Sequence, residues 1–188
     1  MRFISLDTET TGLTESDEIV ELSFVIFVKS SIIMAYSSLI KSKKSISIPA
    51  RLVNGIEDAI VLNQGKDLKE TLDFFISHIH KDDILIGNRI DFDLFFINKA
   101  LKEFNLPVLK NSYVCIHKLH EQVLTEPFHL SDIASFYGFQ FPLKHRALSD
   151  ALTTALIFQK TIDRLQNFPL HGKADTVKFY EENSKKKS

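Results

Sequence analysis

A change in the period of the apolar residues between Ile40 and Asp67 is the strongest constraint on what this chain can fold into. Before it, apolar, β-branched and aromatic residues fall in short strand-type runs at 2–7, 18–28 and 32–40. A turn at 10–16 around Gly12 and another at Lys29-Ser30-Ser31 separate these runs, and the last two are close enough to pair as a hairpin. After it, Leu68, Leu72, Phe75, Ile76 and Ile79 follow helical spacing. Short apolar strands at 84–86 and 113–116 then alternate with helices at 91–104, 130–137 and 146–165. Hairpin strands followed by strands that alternate with helices predict an α/β fold. Its sheet is mixed, antiparallel at first and parallel where helices form the crossovers.

At 188 residues the chain suits one domain, and no internal repeat or linker divides it. We read one domain over 1–170 and a partly disordered C-terminal tail over 171–188, ending in Lys185-Lys186-Lys187. With 44% apolar and 25% charged residues, a collagen, a coiled coil and a disordered chain are excluded. Sixteen Phe and no Trp predict a Phe-rich core. The single cysteine, Cys115, makes no internal disulfide and favours a reducing compartment. A net charge of −1 offers no broad basic surface for gripping duplex, although a strand end needs only a few donors. No apolar run reads as a signal peptide or is long enough to span a membrane, so the expectation is a cytoplasmic protein with no membrane partner.

Asp7 and Glu9 lie two residues apart at the end of the first strand. Period two puts both carboxylates on one face, in line with Phe3 and Ser5. Like charges side by side repel, and a divalent cation is one reason to keep them together; two solvated acids at a strand end are the other reading. Asp93 heads the stripe that runs through Ile97, Ala100, Leu101 and Phe104, so it points with the core and needs a partner or a metal. Asp91 reads as the N-cap of that helix. In the last helix Asp150 flanks the stripe of Ala147, Leu148, Ala151, Leu152, Ala155 and Leu156. Five helical steps would put His145 roughly 140° from Asp150, so the two share a site only if His145 lies in the loop before the helix. A histidine there suits a general base working near neutral pH, and an exposed loop histidine is the plain alternative.

Three strings carry a resemblance to a known family. Asp7-Thr8-Glu9-Thr10-Thr11-Gly12, Asn88-Arg89-Ile90-Asp91-Phe92-Asp93 and His145-Arg146-Ala147-Leu148-Ser149-Asp150-Ala151 resemble, in order, the three motifs of the DEDD exonucleases in their histidine form, DEDDh. The best match is the proofreading 3′–5′ exonuclease (epsilon) subunit of bacterial replicative DNA polymerase and its stand-alone relatives, over roughly residues 2–165. The resemblance implies an RNase H-like fold with a mixed five-stranded sheet flanked by helices, and makes 1–170 an exonuclease domain. It also implies that Asp7, Glu9, Asp93 and Asp150 hold two divalent ions, Mg²⁺ or Mn²⁺, and that His145 activates the water. The activity implied is hydrolysis from single-stranded DNA 3′ ends, in proofreading or repair, with a DNA polymerase subunit as partner. Thr10, Thr11, Leu13, Asn88 and Phe92 are the substrate-binding candidates. One departure stands out: the family commonly has His-Asn-Ala where this chain has Asn88-Arg89-Ile90, and Arg89 has the chemistry to meet a phosphate. Gly87-Asn88-Arg89-Ile90 is also similar to oligoribonucleases, which keeps RNA 3′ ends as an alternative substrate; a silenced, strand-binding module is the non-enzyme alternative.

Other candidates read more plainly. Cys115, His117 and His120 lie close together but lack an evident fourth ligand for zinc. Glu21, inside an apolar strand, reads as a hydrogen-bonded strand residue, with support of the acids as the other option. Lys41, Lys43 and Lys44 read as a solvated loop.

Overall fold

The structure, a computed structural model, describes residues 1–121, 123–139, 145–162 and 168–179. Its elements run β1 (Phe3–Thr10), β2 (Ile19–Val28), β3 (Ser31–Leu39), α1 (Ile48–Asn54), α2 (Asp58–Gln64), α3 (Leu68–Ser77), β4 (Ile84–Gly87), α4 (Asp91–Glu103), β5 (Ser112–Cys115), α5 (Ile116–His120), α6 (Leu130–Phe136), α7 (Ala147–Ile162) and β6 (Gly172–Lys173). The strands form one sheet in the order β3-β2-β1-β4-β5-β6. The β1–β2–β3 pairs are antiparallel and β1–β4–β5 are parallel, as the period change predicts.

The sheet has six strands, not the expected five. Gly172 and Lys173 pair antiparallel with Tyr113 and Ser112, and Ala174 behind them is 1% exposed in the core. Two residues, one of them glycine, carry no hydrophobic alternation, so this strand leaves no trace in the sequence pattern. It also draws residues 172 and 173 out of the stretch read as a tail and into the sheet. The Lys185–Lys187 run lies outside the described residues.

Alternation along β1 builds two layers. Ile4 and Leu6 pack on one face with Leu72 and Phe75 of α3 and Phe96, Ile97 and Leu101 of α4. Phe3 packs on the other face with Phe27, Phe158 of α7 and Ile133 of α6, its ring 5.0 Å from that of Phe158. Each buried Phe of this kind removes enough apolar area from water to contribute about 2–3 kcal/mol. Ala147, Ala151 and Ala155, spaced one turn apart and all 0% exposed, let α7 lie close against the sheet. Ser5 Oγ fixes that approach by donating to the Ala151 carbonyl at 2.8 Å. The C-terminal end of β1 is therefore held between α4 on one face and α7 on the other.

Candidate active site

The site forms at that end of β1. Asp7 and Glu9 share the α7 face, and Asp150 in the first turn of α7 meets them there. Carboxylate oxygens of the three all lie within 4.8 Å of one another. Asp7 is 6% exposed, and Glu9 and Asp150 are half-buried. β1 continues to Thr10, past the expected end at Asp7, and a register shift between Glu9 and Thr10 opens its tip. Such irregularities re-aim side chains at the rim of a sheet.

Asp93 is brought to the same strand from the other side. It is 0% exposed, as its place on the α4 stripe predicts, and its Oδ1 accepts from the Thr8 amide (2.9 Å) and the Thr8 hydroxyl (2.7 Å). Thr8 sits between Asp7 and Glu9, so Asp93 holds the backbone that carries both. It is not among the three acids whose oxygens cluster. His145 lies in the loop before α7, the placement helical geometry requires, with a left-handed φ of 57°. Among residues other than Gly, His is one of the few types enriched there, with Asn and Asp.

Sequence reasoning did not foresee how tightly the start of α7 is held. Glu21, 2% exposed inside β2, lies directly across from Glu9 in the β1–β2 ladder. Its carboxylate accepts from Arg146 Nε (3.1 Å) and Nη2 (2.9 Å), from the Ala147 amide (3.1 Å) and from Ser37 Oγ (3.2 Å). The pair Glu9–Glu21 would repel across the strands, and the Arg146 guanidinium offsets both charges. The hydrogen bonds that Arg146 donates to Glu21, aided by the charges of Glu21 and Glu9, hold the Arg146 pKa above its ordinary value against the opposing effect of burial. Glu21 thus caps the amide end of α7 from another element and fixes the residue next to His145.

The three clustered acids open onto a cleft of about 280 Å³. Asp7, Glu9, Asp150 and His145 form its polar part; Leu13, Pro49, Ala50, Val53, Phe92 and Leu130 give it apolar walls. Of the substrate-facing candidates, Thr10, Leu13, Asn88 and Phe92 line it, and the buried Asn88 Oδ1 has no hydrogen-bond partner among the described residues. Thr11 does not. It is 0% exposed, its hydroxyl donates to Asp17 Oδ1 (2.9 Å), and it shapes the turn from within. β1 ends at Thr10, just past the register shift, so the alternation that puts Asp7 and Glu9 on the cleft does not extend to Thr11. The α1 wall and His129, also on the cleft, were missed; the one sequence signal was the Ala50/Val53 helical spacing.

One other expectation needs correction. Asp91 is not the cap of α4. The helix begins after Ile90 without a side-chain cap, and the Asp91 carboxylate accepts from Tyr113 Oη (2.5 Å) and Lys118 Nζ (3.0 Å). Donors from β5 and α5 outcompete the local amide. Cys115, His117 and His120 do not assemble as a zinc site: His120 Nδ1 donates to the Ile116 carbonyl (2.8 Å) and Nε2 meets Tyr137 Oη (3.0 Å), while His117 Nε2 donates to Glu126 Oε1 (2.5 Å). Burial lowers the pKa of both histidines and raises that of the Cys115 thiol. Lys44 of the Lys-rich loop pairs with Asp17 at 2.7 Å.

The RNase_T family, described as an exonuclease, matches residues 4–158. The chain is 31% identical over 166 residues to DNA polymerase III subunit epsilon of Aquifex aeolicus, covering 87% of this chain and 81% of that protein. It is 27% identical over 176 residues to the 3′-5′ exonuclease DinG of Staphylococcus aureus, where it spans 92% of this chain but 19% of the relative. Among solved structures it is similar to E. coli exonuclease I bound to single-stranded DNA (TM-score 0.76, 15% identity, 87% of this chain and 40% of that chain). It is also similar to exonuclease X in complex with 5′ overhanging duplex DNA (TM-score 0.67, 22% identity, 94% and 99%). These likenesses show the RNase H-like exonuclease fold. Among the described residues no helix is long and apolar enough to cross a membrane.

Proposed function

The chain belongs to the RNase_T exonuclease family, and on that premise we propose that it is a metal-dependent 3′–5′ exonuclease acting on single-stranded DNA ends by two-metal-ion hydrolysis. The observation that carries this reading is the clustering of Asp7, Glu9 and Asp150 within 4.8 Å on the floor of a cleft with apolar walls. Carboxylate oxygens alone are hard ligands, which suits Mg²⁺ or Mn²⁺ better than zinc. Asp7, Glu9, Asp93 and Asp150 would hold the ions, and Asp93 also fixes Thr8 between two of the other acids. When bound, such ions stabilise charge on the phosphate and make hydroxide accessible near neutral pH.

The chain's own residues do the rest. His145 takes the proton from the attacking water as its oxygen bonds to phosphorus; the bond from phosphorus to the 3′ oxygen breaks, and that oxygen leaves with a proton from solvent. Leu13 and Phe92 offer apolar surface to the terminal base, which suits a site that must accept every base in turn. Thr10 and Asn88 supply polar contacts beside it. The similarity to subunit epsilon supports a setting in proofreading or repair, with a polymerase subunit as partner. The test is digestion of labelled DNA and RNA oligonucleotides with Mg²⁺, Mn²⁺ or EDTA. Stepwise shortening of DNA from the 3′ end, lost in EDTA, is expected. Cleavage that persists in EDTA overturns the mechanism, and RNA degraded in preference to DNA overturns the substrate.

A further inference from the structure

The cleft poses an electrostatic problem. Its floor is three carboxylates, yet its proposed substrate is a polyanion, and ions at the floor neutralise only the acids and the phosphate they touch. Arg89 is the one Lys or Arg among the described residues that line it. Three features make this arginine unusual. It stands in the short connection from β4 to α4 with φ 55°, a left-handed conformation that costs a long side chain about 1 kcal/mol. The connection is tight, since a Cβ on Gly87 would come within 2.8 Å of Ile90. The side chain is 13% exposed, and burial pulls its pKa below the ordinary value although Glu126 opposes this. Its ion-pair contact is also long: Glu126 Oε2 is 3.8 Å away on a side chain 44% exposed, where it also accepts from the Phe128 amide, and Glu126 gives its other oxygen to His117. A guanidinium kept at a strained position, largely out of water and against a distant anion, is underused by the fold.

We propose that Arg89 grips a backbone phosphodiester of the bound strand, other than the one being cleaved, and so anchors the strand over the acidic floor. Its planar fork offers two parallel N–H donors to the two unbridged phosphate oxygens, a better partner than the long contact to Glu126. Glu126, held by His117, keeps the side chain against the cleft wall until a strand arrives. Arg89 is then a binding residue and takes no part in proton transfer. The proposal rests on the reading of this cleft as a strand-end site.

The experiment is a binding titration read by fluorescence anisotropy, with 5′-fluorescein dT12 and U12 and with Ca²⁺ replacing Mg²⁺ to suppress hydrolysis. The variants are Arg89→Asn, which suits the left-handed backbone, Arg89→Lys, which keeps the charge without the fork, and Glu126→Gln. Arg89→Asn is expected to raise Kd about ten- to hundred-fold, as loss of one charge-assisted contact should. The dependence of log Kd on log salt should flatten by about 0.7, the signature of one phosphate contact to a single strand. Arg89→Lys should keep that slope and lose affinity by less, and in Mg²⁺ Arg89→Asn should raise KM far more than it lowers kcat. Arg89→Asn with unchanged affinity and slope overturns the proposal, as does an equal loss in Glu126→Gln, which would mean that Arg89 only anchors the segment 123–129. If the unaltered protein binds neither oligonucleotide, the strand-end reading itself fails and the proposal with it.

Discussion

Glu21→Gln removes one negative charge from inside β2 while keeping the shape of the side chain, and it isolates the contact that ties α7 to the sheet. The carboxylate accepts four donors, two on each oxygen: Arg146 Nη2 and Ser37 Oγ on Oε1, Arg146 Nε and the Ala147 amide on Oε2. Whichever way the amide turns, its NH₂ faces donors that an oxygen had served. Breaking a fully buried pair by removing one partner costs about 3–5 kcal/mol. Here Glu21 is 3% exposed but Arg146 is 43% exposed and recovers water, so the expected loss is smaller, about 2–4 kcal/mol. For a domain of this size that is a fall in Tm of about 4–16 °C. Circular-dichroism melts in EDTA read the fold without any contribution from bound ions. Activity should fall through kcat, because slack at Arg146 loosens His145 beside it. In a double-mutant cycle, Arg146→Met should show coupling to Glu21→Gln of more than about 1 kcal/mol. A Tm change under about 2 °C together with additive effects would refute the clamp.

Other perturbations test the remaining parts. Asp7→Asn, Glu9→Asn and Asp150→Asn should each lower the cleavage rate by about 10² or more, and should abolish the rise in Tm that Mg²⁺ or Mn²⁺ gives the unaltered protein, read by melts with and without EDTA. His145→Ala should bind a strand almost normally but cleave it about 10²–10⁴-fold more slowly, with the ascending limb of the pH–rate profile near neutrality gone; a normal rate across that range would assign the base elsewhere. Asp91→Asn should cost about 1–3 kcal/mol in a melt, through weaker bonds to Tyr113 and Lys118, and leave kcat unchanged. Burial raises the Asp17 carboxyl, but Lys44, the hydroxyl and amide of Thr14, and Thr11 outweigh it and hold the pKa at about 2, below the ordinary 3.8. The stabilisation this gives, about 2 kcal/mol, is therefore complete above pH 4 and is lost as pH falls toward 2; Asp17→Asn should flatten that acid limb in denaturant titrations.

What the sequence made legible follows from periods, and what it hid follows from distance along the chain. Period two along β1 put Asp7 and Glu9 on one face with Ser5, and the Ser5–Ala151 hydrogen bond shows that face to be the one α7 covers. Helical spacing put Asp93 among core residues, where it is fully buried, and the angle between His145 and Asp150 placed the histidine outside the helix. None of these needed knowledge of a partner. Glu21 and Arg146 are 125 residues apart, and nothing local marks them as a pair. The same holds for Asp91, whose first-turn position reads as a cap until donors from β5 and α5 are seen to claim it, and for Gly172 and Lys173, which are strand only because Ser112 and Tyr113 pair with them.

The difference has a consequence for where variation is tolerated. The three clustered acids and His145 sit on two elements, β1 and the start of α7, and those elements are joined by side chains that make no direct claim on a substrate: Ser5 to the Ala151 carbonyl, Glu21 to Arg146 and the Ala147 amide. A substitution at any of these leaves every acid in the chain and still loosens the hold of α7 on β1 and β2, and with it the position of Asp150 relative to Asp7. Since a misplacement of about 1 Å costs on the order of 10²-fold in rate, the joints between β2, β1 and α7 are as sensitive a test of the site as the acids themselves.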